Sequence, residues 1–388
     1  MDLGHPVGQV EPAINCKLGK TRGMVVVYAC RAYGDPCSHD GVTQSELARK
    51  LAAIKGYDFA GEFDASYDYA DPLYFVPSDT LISIDAAHQL GVRDEQDLFG
   101  GVVPYAFAAT KTITHGLLKQ DARAPEGWSS MFSNHVEDAV LPGYSAFTIE
   151  DARSAGFCLL KAGSMRIKQP HGVGGLGQTV VANEEALEAY LGSMDVEAVL
   201  RDGLVLEQNL NNVATLSVGQ VRVGELMATY YGIQRLTCNN RGEEVYGGSK
   251  LFVARGDFND LFRLDLPGEV RTAIAQARIY HAAAMTCFPG IFVSRCNYDI
   301  AQGFDSLGRW RSGVLEQSWR MGGASGAELA AMEAFLADPE LNVVCASTTE
   351  VYGANPDLPI DAEIYFSGVD GRVGAITKYS RLESYVNT

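Results

Sequence analysis

The run Met24-Val25-Val26-Val27-Tyr28-Ala29 is apolar at every position, so it reads as a strand buried on both faces. It is too short to cross a bilayer. After a loop over 31–41, Leu47, Leu51 and Ile54 recur at helical spacing, and Thr43 or Ser45 would cap that helix. Leu73-Tyr74-Phe75-Val76-Pro77 reads as a second strand. Residues 85–90 read as a short helix stopped by Gly91. This alternation predicts a small open α/β (Rossmann-like) domain over 1–104, with residues 1–22 as an arm.

Residues 105–140 read as largely helical. Strand–helix alternation returns over 141–206, with helices at 148–160 and 184–191. Residues 204–256 are rich in Val, Thr and Tyr and predict several antiparallel strands. A helix over 268–285, strands over 291–302 and 310–318, a helix over 326–335 and strands at 364–368 and 374–379 complete the pattern. The fold class is therefore α/β, with α+β character in the later part. The division is 1–104, then 105–206, then 207–388.

Charge narrows the partners. The 388 residues carry a formal net charge of −17. A general nucleic-acid or anionic-membrane surface needs clustered cations and is disfavoured. The eight cysteines are scattered singly, with no C-x-x-C pair, as in reduced thiols of a cytoplasmic protein. No Gly-x-Ser-x-Gly elbow is present.

The densest chemistry lies at 166–178. Lys168 ends a β-type run, Gly172, Gly174, Gly175 and Gly177 follow, and Gln178-Thr179-Val180-Val181 resumes strand character. Glycines let backbone N–H groups approach phosphate oxygens, and a lysine adds a point charge. The triplet of a P-loop is missing, and a strand rather than a Rossmann helix follows. A glycine-rich hairpin without ligand fits the same residues. Further on, Asp299 and Glu316 lie in β-type runs joined by a short turn. Antiparallel neighbours of this kind set two carboxylates side by side, where they repel unless a cation intervenes. An all-oxygen pair suits Mg²⁺ with substrate phosphates. A turn aspartate and a surface glutamate are the plainer alternative.

The order of these parts resembles the ATP-grasp superfamily. Its members hold ATP under a glycine flap, with one lysine before the flap and one at its start, an acidic hinge at the adenine, and a late Asp/Glu followed by Glu-x-Asn-x-Arg for Mg²⁺. Ala109-Thr110-Lys111, opening a helix that ends near Leu118, is similar to the first lysine segment, and Lys168 to the second. Leu204 to Leu210 is similar to the hinge, with Glu207, Gln208, Asn209 and Leu210 at the nucleotide. Asp299 and Glu316-Gln317-Ser318-Trp319-Arg320 are similar to the metal motif, with Ser318 in place of asparagine. The resemblance is closer still to an uncharacterised bacterial ATP-grasp-like family, on Val245-Tyr246-Gly247-Gly248-Ser249, Asn297-Tyr298-Asp299 and the stretch from Leu315 to Glu328.

The resemblance implies ATP and Mg²⁺ as cofactors. Metal ligands would be Asp299, Glu316 and Ser318; Lys111, Lys168, His171, the flap glycines, Thr215 and Ser217 would face the nucleotide. Gln234 and Arg235 belong to the same sheet and would also face the cleft. Arg320 would be catalytic. Arg295 reads equally as a phosphate contact or a salt-bridge partner. The loop Gly322-Gly323-Ala324-Ser325 precedes a helix and suits a substrate carboxylate or phosphate; a glycine turn capped by Ser325 is the alternative. The reaction implied is amide formation from a small-molecule carboxylate and an amine, amino-acid or peptide-like, through an acyl phosphate. A small-molecule kinase and a non-catalytic ATP-binding regulator stand as alternatives, and a homodimer is the default assembly.

Overall fold

The computed structural model describes residues 23–30, 37–172 and 177–386. The arm expected over 1–22, most of the loop expected over 31–41, and Gly174 and Gly175 of the flap lie outside the described residues.

Strand Met24–Tyr28 is the centre of a parallel sheet, between Asp58–Glu62 and Leu73–Pro77. Its apolar run is covered on both faces. Val25 and Val27 meet Leu47 and Leu51 of helix His39–Lys55, and Val26 meets Phe75, Leu81 and Ala87 on the other side. The helix starts earlier than expected. Ser38, with extended backbone, caps it by accepting the Gly41 N–H, and the Thr43 hydroxyl donates to the His39 carbonyl instead.

Residues 105–140 are not largely helical. Short 3-10 turns at Ala106–Ala109 and Lys111–Thr114, helix Ser130–Val136 and a turn at Glu137–Ala139 are joined by irregular chain. The helix expected to open at Lys111 stops at His115, whose backbone is extended. Pro104, Pro125, Gly116 and Gly127 punctuate the segment, and Phe107, Ile113 and Phe132 reach the core without a continuous helix.

A four-stranded antiparallel sheet follows, in the order Gly143–Ala146, Leu204–Gln208, Met165–Lys168, Gln178–Val181. Helices Ile149–Leu160 and Glu184–Gly192, capped by Thr148 and Asn183, pack Ala152, Ala155, Leu187 and Leu191 against Met165, Ile167, Leu204 and Leu206.

The largest sheet has eight antiparallel strands in the order Trp310–Ser318, Arg295–Phe304, Asn211–Val223, Leu226–Cys238, Glu244–Arg255, Val343–Tyr352, Gly374–Val386, Glu363–Asp370. Strands Asp58–Glu62 and Val343–Tyr352 had no expectation in sequence. Helix Gly268–Cys287 covers one part of the sheet through Ala273, Ala277 and Tyr280. Helix Ser325–Ala337 is buried nearly all round, because it lies between this sheet and helix His39–Lys55. Among the described residues no helix is long and apolar enough to cross a membrane.

Candidate functional site

A cavity of about 980 Å³ opens outside the carboxyl ends of strands Met24–Tyr28 and Leu73–Pro77 and is bounded opposite by the large sheet. Carboxyl ends of parallel strands are the usual ligand side of such sheets.

Three adjacent strands bring polar side chains to it side by side. The register aligns Ser217, Asp299 and Glu316 across the sheet. A bulge is responsible for the last pairing: Ile300 pairs with Val314 while Asp299 pairs with Glu316, so Leu315 is unpaired. Without it, Asp299 would face Leu315 and the two carboxylates would fall on opposite faces.

Three donors converge on Asp299 Oδ1: Asn297 Nδ2 and Gln234 Nε2 at 2.9 Å and the Ser217 hydroxyl at 3.2 Å. No described residue donates to Oδ2. Burial and the neighbouring Glu316 push the Asp299 carboxyl above its ordinary range. Lys111 Nζ contacts Glu316 Oε2 and donates to the Gly172 carbonyl. Lys111 thus pairs with Glu316, while Asp299 beside it has three neutral donors on one oxygen, and both residues line the cavity. That donor set fits Mg²⁺ completed by phosphate and water. Among the described residues no group of three or more His, Cys, Asp or Glu forms a cage of its own.

Lys168 is placed differently. Its ammonium is 2.5 Å from Glu207 Oε1, and His115 Nε2 is 3.2 Å from Glu207 Oε2. All three side chains are sealed from solvent and none lines the cavity. Burial would raise the Glu207 carboxyl, but Lys168 and His115 outweigh it and hold it below the usual range.

The cavity gathers Lys111, His171, Gly172, Ser217, Gln234, Asp299, Glu316, Ser318, Arg320, Gly322, Gly323 and Ala324 from the expected set. It does not gather Lys168, Gly177, Glu207, Gln208, Asn209, Leu210, Thr215, Arg235 or Ser325. Asn209 accepts from Arg166 at 3.1 Å, and Leu210 packs with Leu141 and Ala301. Gln208 leaves a buried Oε1 without partner. Thr215 pairs with Ala301, and Arg235 approaches Glu383. Gly177 adopts φ 70° where the flap hairpin closes on Gln169. His171 lies 3.7 Å from Asp202.

Of the two readings of Arg295, the structure shows the ion pair. Its Nε and Nη2 donate to Glu328, and Nη1 donates to the Ser318 and Arg320 carbonyls and to the Ser318 hydroxyl. Arg295 borders the cavity and is fully buried, with its donors directed into the protein. It thereby fixes the strand end that carries Ser318 and Arg320. Arg320 itself lines the cavity, with Nε 3.6 Å from Asp79.

The glycine loop does not end in a Ser325 cap. Ala324 occupies the cap position without a side-chain bond, and the Ser325 hydroxyl instead accepts the Gly322 N–H at 3.0 Å. A Cβ at Gly323 would lie 2.5 Å from the Tyr246 ring, so only glycine fits there.

Asn297 was missed as a partner of Asp299. Its position two residues earlier on the same strand, hence on the same face, was the available signal. Tyr246 and Ser249, which the sequence offered only as part of a family signature without a role, also line the cavity.

Solved structures share this architecture. N5-carboxyaminoimidazole ribonucleotide synthetase in complex with ADP is similar with a TM-score of 0.53 and 12% identity, over 94% of this chain and 93% of that one. Phosphoribosylamine–glycine ligase of Thermotoga maritima is similar at 0.50 and 14%, over 95% and 93%. Biotin carboxylase of Campylobacter jejuni is similar at 0.50 and 10%, over 94% and 87%. These likenesses show the fold: an ATP-grasp architecture with a smaller α/β region before it. No curated protein matches the sequence. A family model matches residues 27–380, and the chain accordingly belongs to the family described as a protein of unknown function, DUF3182.

Proposed function

We propose that the protein is an ATP-dependent carboxylate–amine ligase. The observation that carries this reading is the Asp299–Glu316 pair, side by side at the cavity with Lys111 on Glu316. One similar structure is named as an ADP complex and another as a beta-gamma-ATP complex, in keeping with nucleotide as a substrate here.

In this reading Asp299 and Glu316 hold Mg²⁺, which would neutralise phosphate charge and polarise the transferring group. Ser318 completes that side of the site. Lys111 leaves Glu316 for the phosphates, and Gly172 and His171 border them. The hinge residues Glu207 to Leu210 support the adenine side, and the Lys168–Glu207–His115 cluster gives the flap sheet a rigid base. Arg320 and the backbone of Gly322 to Ala324 receive the substrate carboxylate. One carboxylate oxygen attacks the γ-phosphorus and ADP departs, leaving an acyl phosphate. The amine nitrogen then attacks the acyl carbon, phosphate departs and a proton is lost. The chain contributes positioning and fixed charge.

The test is mass spectrometry of ATP, Mg²⁺ and pooled carboxylates and amines with the protein. A product with the summed mass of acid and amine less water, formed with ADP and phosphate, is the expected result. A stable phosphorylated compound would point instead to a kinase. ATP binding without turnover in any pool would point to a regulator.

A further inference from the structure

Next to the row that carries Asp299 and Glu316, the large sheet has a second row on the same face. Gly232, Ser217, Asp299 and Glu316 pair across four strands in the first row. Tyr230, Gly219, Asn297 and Ser318 pair in the second, two residues along on each strand. Tyr230 and Asn297 are therefore two strand spacings apart, roughly 9.5 Å. The Tyr230 side chain spans that gap over Gly219. A Cβ at Gly219 would lie 2.3 Å from the Tyr230 hydroxyl, so the missing side chain is what lets the hydroxyl through.

The hydroxyl ends between two acceptors, Glu328 Oε1 at 2.5 Å and Asn297 Oδ1 at 3.0 Å. Burial and Glu328 push it well above the usual tyrosine range, so it stays a donor and its one hydrogen is shared. Glu328 belongs to helix Ser325–Ala337 and also takes Nε and Nη2 of Arg295. With Asn297 Oδ1 turned to the hydroxyl, the other end of the amide donates to Asp299 Oδ1 at 2.9 Å. The reverse orientation would set a carbonyl oxygen against the Asp299 carboxylate. A pin that served packing alone would close within the interior. This one ends on an oxygen of Asp299 at the cavity, and the glycine it requires weakens the middle of a strand.

We propose that Tyr230 is a positioning residue for the cation site. Anchored on Glu328, it orients the Asn297 amide, which holds Asp299 Oδ1 and leaves Oδ2 for the cation. The same Glu328 holds Arg295, which fixes the strand end of Ser318 and Arg320, so one helix sets both sides of the site. This role rests on the reading of Asp299 and Glu316 as the Mg²⁺ ligands. Neither Tyr230 nor Glu328 lines the cavity, so both act only through the residues they hold.

Mn²⁺ binding to the full-length protein in the presence of ADP, followed by electron paramagnetic resonance, tests this as a double-mutant cycle. Tyr230→Phe removes the hydroxyl and keeps the ring. It should weaken Mn²⁺ binding about threefold or more, the worth of one neutral hydrogen bond. Asn297→Ala should weaken it about tenfold, the worth of one bond to a charged group. The double variant should bind no more weakly than Asn297→Ala, because Tyr230 acts through Asn297. Wild-type affinity in Tyr230→Phe, or losses that multiply in the double variant, overturns the proposal; a merely structural tyrosine gives one of these two results. A wild-type protein that binds no Mn²⁺ removes the metal site and the proposal with it. The expected cycle, with no condensation product from ATP and pooled acids and amines, overturns the ligase reading and leaves Tyr230 in this role.

Discussion

Two lysine–carboxylate pairs meet near the base of the glycine flap, Lys111 with Glu316 at the cavity and Lys168 with Glu207 in the interior. The interior pair is balanced: one carboxylate receives Lys168 and a hydrogen bond from His115, and its carboxyl is held low. The cavity pair is not balanced. Asp299 stands beside Glu316, the Lys111 ammonium pairs with Glu316 alone, and the Asp299 carboxyl is pushed up. The difference is one of charge balance: a lysine paired with one buried carboxylate leaves nothing for a ligand to offset. An unbalanced carboxylate pair with water access is a candidate cation site, because an incoming cation relieves its repulsion.

The largest effect should come from the unbalanced pair. Asp299→Asn should lower Mg²⁺-dependent turnover by about a hundredfold or more, since metal charge stabilisation is worth several kcal/mol. The same variant should keep or gain stability in metal-free urea unfolding. A carboxyl whose folded pKa is raised costs stability once it ionises, and asparagine retains an oxygen for the three donors. A loss of stability instead would make Asp299 a structural residue and end the contrast.

Lys168→Met should act the opposite way. Breaking a buried pair leaves Glu207 uncompensated and costs roughly 3–5 kcal/mol. Adding Glu207→Leu should recover much of it. A Lys168→Met protein as stable as wild type but blind to ATP would show that Lys168 leaves Glu207 for the phosphates.

Lys111→Met should cost less stability than Lys168→Met, because water reaches Glu316 from the cavity. Mg²⁺–ATP affinity should fall about tenfold with the lost charge contact. Nucleotide-free Mn²⁺ binding, followed by electron paramagnetic resonance, should rise as the competing ammonium is gone. Unchanged Mn²⁺ binding would mean that Lys111 does not occupy the cation position.

The acid limb of stability sharpens the contrast further. Glu207 has a lowered folded pKa, so its contribution is complete above the ordinary carboxylate pKa and is lost as pH falls through the folded one. The stability gap between wild type and Glu207→Gln should narrow on acidification below about pH 4. A gap independent of pH would place the ionised form of Glu207 outside the interaction.

The smallest effect is expected at Ser318, whose hydroxyl accepts from Arg295 at 3.3 Å at the cavity edge. Ser318→Asn should preserve the fold and preserve or raise Mg²⁺–ATP affinity, within about 0.5 kcal/mol in stability. Loss of nucleotide binding would show that the Arg295 contact, rather than the metal, sets this position.

Local order was legible at several points. The Met24–Tyr28 strand, the helices capped by Thr148 and Asn183, and the hairpin carrying Asp299 and Glu316 all follow from neighbours within a short stretch. Residues 105–140 were not legible, because their apolar side chains are spaced for a core reached by turns rather than by a helix. Arg295 was ambiguous because its partner Glu328 is 33 residues away on a helix whose docking no periodicity describes.

The sequence alone determined which residues share a strand face and that the strands carrying Asp299 and Glu316 form a hairpin, since both follow from the two-residue repeat and a short turn. The bulge at Leu315, which brings the two carboxylates opposite each other, belongs to the structure. The tertiary structure alone decided which face opens to water. Lys111 and Lys168 are alike as residues and both are buried, and only the packing of the sheets decides that Lys111 borders the cavity and Lys168 does not. Asp40 and Lys378 lie 338 residues apart, and only the docking of the first helix on the last strands brings them together. Such placements depend on how layers stack, which no local period records.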